Sequence, residues 1–314
     1  MKKILKFYSI IAFFAIIGLL FLACNLDNDD YTDSAYFSWE VWDGKITITG
    51  YIGPDTVINI PPQINGFPVT SIGRYALAGG KDIEWIEVFN EDGSMEWIGI
   101  PTGLPCGTLH SVIIPNSVTS IEDYAFFRNQ LTNVTIGNNV TFIGNYAFYE
   151  NHLTNVTIPN SVTFVGDYAF CDNQLTSVII GNKVTIIRNG TFLRNQLTSV
   201  EIGNNVKNIE WGAFLENQLT NITIPNSVTT IGDAAFAQNQ LSKIVIPNNV
   251  TNIGGSAFYD NKLTSITIGA NVELSAGHAW GSFGNNGFEN TYNDGGRLAG
   301  TYTRPNIEST IWKR

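Results

Sequence analysis

Apolar residues recur along this chain at an interval that neither a helix nor a strand produces by itself. Leu stands at 109, 131, 153, 175, 197, 219, 241 and 263, always 22 residues apart, and Phe keeps the same interval at 126, 148, 170, 192, 214, 236 and 258. After each Leu comes a short alternation, Leu131, Val134 and Ile136 or Leu219, Ile222 and Ile224, with β-branched residues in the last two places. That pattern predicts a short strand with one face buried and the other shown by positions such as 133 and 135. Gly137-Asn138 or Pro159-Asn160 then predicts a turn, since Pro presets φ and Gly or Asn tolerates positive φ. Val140 and Ile143 point back inward, and small Ala147 sits beside Phe148 on the closing arm. A fixed period of about 20 to 29 residues marks a solenoid, in which each repeat is one coil that buries its apolar face only against its neighbours. The predicted fold class is therefore a mainly-β, right-handed repeat solenoid, with about 22 residues and one parallel strand per coil, capped at both ends.

The third residue after each Phe is always Asn. Because an amide both donates and accepts, Asn129, Asn151, Asn173, Asn195, Asn217, Asn239 and Asn261 are expected to stack as a structural ladder that satisfies main-chain groups in the bend before the strand. The regular repeats span 109–272, preceded by irregular first coils over 55–108. A β-hairpin cap is expected over 36–54, where Phe37, Trp39 and Val41 alternate, Asp43-Gly44 turns the chain, and Ile46 and Ile48 alternate again. Ile58 and Ile60 mark a first coil with about five extra residues around Asn65-Gly66, and Ile83, Ile86 and Val88 are expected to supply a second rung. Ten rungs at roughly 4.8 Å would make a ladder about 43 Å long. A C-terminal cap over 273–314 is expected to close the array with two strands around Pro305.

The stretch NQLTSVEIGNNVKNIEWGAFLENQLTNITIPNSVTTIGDAAF resembles the BspA-like, treponemal type of leucine-rich repeat, over about residues 55–272. Coils of that family run Leu-x-x-Ile-x-Ile, then Pro, then Ile-Gly-x-x-Ala-Phe, then Asn or Cys. Glu122, Arg188 and Glu210 stand where the pattern has Gly, and Thr191 where it has Ala, so the return arm is expected to differ there. The resemblance implies a non-catalytic binding module for adhesion at the bacterial surface, with host matrix proteins, other host proteins or other bacteria as partners.

Charge and the first residues add an address. Only 14% of residues are charged, against roughly 25% in an average soluble domain, so the surface must rest on Asn, Thr, Ser and Gln. A formal charge of −10 provides no basic patch for a phosphate backbone, which excludes nucleic acid as a partner. Lys2, Lys3 and Lys6 precede an apolar run from Phe7 to Leu22, and Phe21-Leu22-Ala23-Cys24 resembles a lipobox, with Phe where Leu is usual. Residues 1–24 are thus expected to form a lipoprotein signal peptide with Cys24 as the lipidated residue. A run of about 16 residues is short of the roughly 20 needed to span hydrocarbon, so the membrane is met only through the lipid. Residues 25–35 are acidic and are expected to form a flexible tether. The protein is expected to be monomeric, exported and anchored at the outer membrane or cell surface.

Catalytic chemistry finds no foothold in the pattern. His110, His152 and His278 share no repeat column, so no metal set is expected, and no cofactor motif or nucleophile elbow appears. Glu150, Asp172, Glu216 and Asp260 lie on the return arms and are expected only to aid solubility. The outward strand positions instead form a broad face rich in hydroxyl and amide groups. Asn133, Thr135, Asn155, Thr157, Ser177, Ser199, Glu201, Asn221, Thr223 and Lys243 are its binding candidates, suited to an extended envelope, extracellular or host protein, or to a glycan. Alternatives are a structural or periplasm-facing role without a host ligand, and a glycan site at Trp85, Phe89 and Trp97, rings that equally suit a larger first coil.

Overall fold

Most coils carry two short strands. Alternation after the conserved-interval Leu builds the first, as in Ser111–Ile113, Asn133–Thr135, Asn155–Ile158, Ser177–Ile180, Ser199–Glu201, Lys243–Val245 and Ser265–Ile268. These strands pair in parallel with a register of one coil, Val134 opposite Val112 and Val178 opposite both Val156 and Val200. A second parallel ladder runs along the return arm through two-residue strands: Ser120–Ile121, Phe142–Ile143, Phe164–Val165, Ile186–Ile187, Asn208–Ile209, Thr230–Ile231, Asn252–Ile253 and Glu273–Leu274. Two residues are too few to show a period, which is why the sequence reveals only the first ladder.

The computed structural model describes residues 31–79, 84–89, 95–100, 109–275, 281–284 and 286–314; the strands Glu84–Phe89 and Met95–Ile100 are described through their pairing alone. Thr32–Arg314 form one unit, and of the other, Met1–Tyr31, only Tyr31 is described. The expected signal peptide, Cys24 and His278 lie outside the described residues, as do the side chains of Trp85, Phe89 and Trp97. Among the described residues no helix is long and apolar enough to cross a membrane.

The core is a continuous apolar spine between the ladders. The Leu column from Leu109 to Leu263 is at most 1% exposed. Phe126, Phe148, Phe170, Phe192, Phe214, Phe236, Phe258 and Phe283 stack face to face, with centroids 5.0 to 5.8 Å apart and planes within 12°. Each buried ring contributes about 1.5–3 kcal/mol through removal from water, plus roughly 0.5–1.5 from the aromatic contact. The stack is loosest, at 5.8 Å, between Phe170 and Phe192. There buried Thr191, bulkier than the Ala of other coils, bonds its hydroxyl to Arg188 O at 2.9 Å.

Arg188 marks the one break in the return ladder. A Cβ on Gly166, its counterpart one coil earlier, would come within 2.4 Å of Asn145 N, so the position suits a residue without a side chain. With Arg188 in that place, no pairing joins Phe164–Val165 to Ile186–Ile187, and the guanidinium lies over the Phe164 ring, 4.5 Å from its centroid. At Glu122 and Glu210 the ladder bonds persist, to Ile72 O at 2.9 Å and Ile187 O at 2.8 Å.

At the front, Phe37–Trp42 and Lys45–Tyr51 form an antiparallel hairpin across Asp43 and Gly44, both at positive φ (50° and 69°). Lys45–Tyr51 extends the return ladder by pairing in parallel with Phe67–Ile72. The tether expected over 25–35 is fixed at its C-terminal end: Thr32 N donates to Asn59 O, Asn59 N donates to Thr32 Oγ1, both at 2.9 Å, and Asp33 caps a 3-10 turn over Ser34–Tyr36.

The second rung expected from Ile83, Ile86 and Val88 does not form. Val57–Asn59 pairs directly with Ser111–Ile113, while Glu84–Phe89 pairs antiparallel with Met95–Ile100 as a separate hairpin. These residues are therefore an insertion between two adjacent coils, and the array has about nine coils rather than ten rungs. At the far end a single strand, Gly300–Thr303, closes the first ladder antiparallel to Ser265–Ile268 instead of the two expected around Pro305. Lys313 adds only a bridge to Thr303, and a seven-residue helix, Phe288–Asp294, packs Phe288 and Tyr292 onto the last coil.

Candidate functional site

Three side-chain ladders hold the coils in register beneath the candidate face. Asn151 donates to Phe126 O at 2.9 Å and accepts from Leu131 N at 3.1 Å, and Asn173, Asn195, Asn217, Asn239 and Asn261 repeat both bonds one coil further on each time. Each amide thus bridges two coils in a bend that neither strand ladder reaches. Asn129 is the exception: it donates to Leu77 O at 2.6 Å, but its buried Oδ1 has no partner among the described residues. The residue 20 places earlier, which supplies the N–H elsewhere, is Leu109, which enters from the insertion.

The other two ladders were not anticipated. Asn138 N donates to Asn116 Oδ1, Asn182 N to Asn160 Oδ1 and Asn204 N to Asn182 Oδ1, at 2.7 to 2.9 Å. At these three places the Asn after the strand therefore caps its neighbour, and none of these Asn is at positive φ. Asp123, Asn145 and Asp167 do the same on the return arm until Trp211 interrupts the column. Recurrence at 22 was the signal available for both.

Positive φ instead falls where the return arm bends. Tyr75, Tyr124, Tyr146 and Tyr168 occupy one such column, φ 55° to 59°, and their rings stack at 4.7 to 5.0 Å on the outer side of the first coils. Burial pushes the Tyr168 phenol up to about 12, and Tyr146 and Tyr149 higher still. The stack ends at Gly190, where a Cβ would meet the Tyr168 ring at 2.5 Å. The second positive-φ column carries Arg128, Glu150, Asp172, Arg194 and Glu216. Arg128 pairs with Glu150, and Arg194 lies 3.5 Å from Glu216 and 3.9 Å from Asp172, so these carboxylates are compensated by cations along a shallow groove of about 580 Å³.

The strand face presents the binding candidates in two columns. Asn133, Thr135, Asn155, Thr157, Ser199, Glu201, Asn221, Thr223 and Lys243 are exposed, and Ser177 is half-buried. Glu201 and Lys243 carry the only charges in these columns between Ser111 and Thr267. Ile113, Ile179 and Val245 add apolar points, 42%, 46% and 60% exposed. Residues 221–224 pair with the rung on neither side, and a hollow of about 580 Å³ lies there. It brings Thr157, Glu201 and Thr223 together around Ile179 and Val200 and leaves the other candidates outside. Among the described residues no group of three His, Cys, Asp or Glu side chains is placed to hold a metal ion.

Stacked coils with an L-x-x-L-x-L strand, an Asn-bridged bend and a Phe spine define a leucine-rich-repeat solenoid. A family model described as BspA type leucine rich repeat region matches in six copies, over residues 58–173, 104–215 and 163–291, and the chain belongs to that family. Among solved structures, a leucine rich cell surface protein from Faecalibacterium prausnitzii A2-165 is similar at 25% identity, TM-score 0.51, over 79% of this chain and 73% of that one. A leucine-rich repeat protein from Bacteroides ovatus shares 24% identity (TM-score 0.48, 80% and 66% covered), and one from T. pallidum 18% (TM-score 0.44, 73% and 88% covered). No functionally curated protein matches the sequence.

Proposed function

We propose that this chain is a non-catalytic protein-binding module of the bacterial envelope, exported, held by a lipid on Cys24 and adhesive at the cell surface. The observation that carries the reading is the strand face. Its two outward columns repeat hydroxyl and amide groups from coil to coil, bear two charges, and are interrupted by single apolar residues. Many weak polar contacts around a few apolar points are how a non-obligate protein interface is built. Asn133, Thr135, Asn155, Thr157, Ser177, Ser199, Glu201, Asn221, Thr223 and Lys243 are its contact residues. Similarity to a protein described as a cell surface protein supports the location, as do the basic, then apolar leader and its terminal Phe-Leu-Ala-Cys.

Cross-linking on intact cells tests both parts. Arginine at Asn155 and Asn221, both exposed, blocks the face without touching the core. The double variant is expected to lose its cross-linked partner while keeping its circular dichroism and melting temperature. Retained cross-linking refutes the face. Survival of the protein during protease shaving of intact cells refutes surface display and favours an envelope-internal role. Unchanged membrane attachment of Cys24→Ala refutes the lipid anchor.

A further inference from the structure

We propose that the hollow beside Glu201 is a socket for a lysine or arginine side chain presented by a polypeptide partner; this deepens, and rests on, the strand-face reading above. The socket begins with a local failure of the first ladder. Residues 221–224 bond to neither neighbour, and at that point the inward column opens to solvent. Val112, Val134, Val156, Val178, Ile244 and Ile266 of this column are buried, but Val200 and Ile222 are only partly so. Of these two, Val200 lines the hollow, and with Ile179 beside it gives an aliphatic floor reached from the surface.

The rim has one sign of charge. Glu201 is exposed at the edge of the hollow and takes part in none of the ion pairs among the described residues. Lys243, the other charge of the face, stands two coils away in the neighbouring column, roughly 10 Å at the usual strand spacing. The turn column reads Pro159, Gly181, Gly203, Pro225 across the hollow, so the rim is bare of side chains in the middle and closed by a ring at either end. A Cβ would lie 2.4 Å from Pro159 O at 181 and 2.6 Å from Gly181 O at 203, so both central places suit a residue without a side chain as the coils stand.

An aliphatic floor under a single carboxylate matches the two halves of a basic side chain, whose stem packs on apolar surface while its head stays near water. The head meets Glu201, with the Asn182 and Asn204 turns and the Thr223 hydroxyl beside it. A carboxylate in the same place would be repelled, and an aliphatic side chain would leave Glu201 facing a methyl group. Lys243 sets direction, favouring partners whose acidic residue lies on that side of the basic one.

The test uses the purified protein and three peptides, acetyl-Thr-Val-Thr-X-Thr-Val-Thr-amide, with X as lysine, norleucine or glutamate. Binding is read from methyl NMR shifts of Ile179 and Val200. At low ionic strength the lysine peptide is expected to bind up to about fivefold tighter than the norleucine peptide, in keeping with a partly exposed ion pair. The glutamate peptide should bind more weakly than either, and high salt should erase the difference. Glu201→Gln should abolish the lysine preference and leave norleucine binding unchanged, while Glu201→Lys should transfer the preference to glutamate. Equal binding of lysine and norleucine, a preference that survives Glu201→Gln, or no shift at Ile179 and Val200 with any peptide overturns the socket. If the Asn155/Asn221 double variant loses its cross-linked partner while Glu201→Gln keeps it at full strength, the socket is wrong and the strand-face reading stands.

Discussion

Truncating one bridging amide, Asn173→Ala, should cost this solenoid more than most surface or core trims of the same size. Asn173 is 7% exposed and donates to Phe148 O at 2.8 Å, with longer contacts to Phe170 O and Cys171 O at 3.3 Å. It accepts from Leu153 N at 3.0 Å. Alanine leaves Leu153 N and Phe148 O buried without partners, and each such group costs roughly 1–3 kcal/mol, so about 2–6 kcal/mol is expected. Asn129→Ala is the internal control. That amide makes its donor bonds to Leu77 O and Phe126 O but accepts from none of the described residues, so its loss orphans one main-chain group fewer and should cost about 1–3 kcal/mol. Urea unfolding followed by circular dichroism measures both. Because stability in stacked repeats is a sum over neighbouring coils, the Asn173 variant should also split the transition, with coils on either side unfolding separately. A cost below about 1 kcal/mol, or one no larger than that of the Asn129 variant, would refute the bridge as a source of stability.

Gly144→Ala should destabilise by about 1–3 kcal/mol, since its Cβ would sit 2.4 Å from Asp123 N, and thermal melting will show whether the coils can part to accept it. Phe214→Ala removes a fully buried ring from the middle of the stack and should cost about 3–5 kcal/mol in urea titration. Alkaline pH should unfold the first coils. Burial raises the Tyr146, Tyr149 and Tyr168 phenols above the ordinary value of 10, so the unfolded chain loses these protons first and stability falls as pH rises above about 10, through the Tyr168 value of about 12. Tyr146→Phe should reduce that fall, as read by ultraviolet titration alongside circular dichroism. Cys171 is buried and its thiol pushed up, so it should resist thiol reagents in the native protein and react promptly in urea.

What the sequence makes legible is whatever repeats with a side-chain period. The interval of 22 carries the coil, the Leu-to-Ile strand and the Phe spine because burial demands the same residue type at the same place every time. The return ladder escapes because main-chain pairing over two residues demands nothing of side chains such as Ser120, Phe142 and Asn208. Residues 84–89 mimic a rung because a hairpin strand and a solenoid strand share the same alternation; only the pairing of Ile58 with Val112 tells them apart. Of the candidate face, the columns were legible and the hollow was not. It goes with the missing pairing of residues 221–224, which no residue there announces, since Asn-Ile-Thr-Ile matches other coils.

The openings in the two ladders never coincide. The first parts between Asn133–Thr135 and Asn155–Ile158 and again around 221–224, the second only between Phe164–Val165 and Ile186–Ile187, and at each opening the opposite ladder is continuous. A protein pulled at both ends by flow or by a bound partner would therefore yield like a leaf spring. Each loosened joint flexes about a seam still stitched on its other side, so load is spread along the array before any coil tears free.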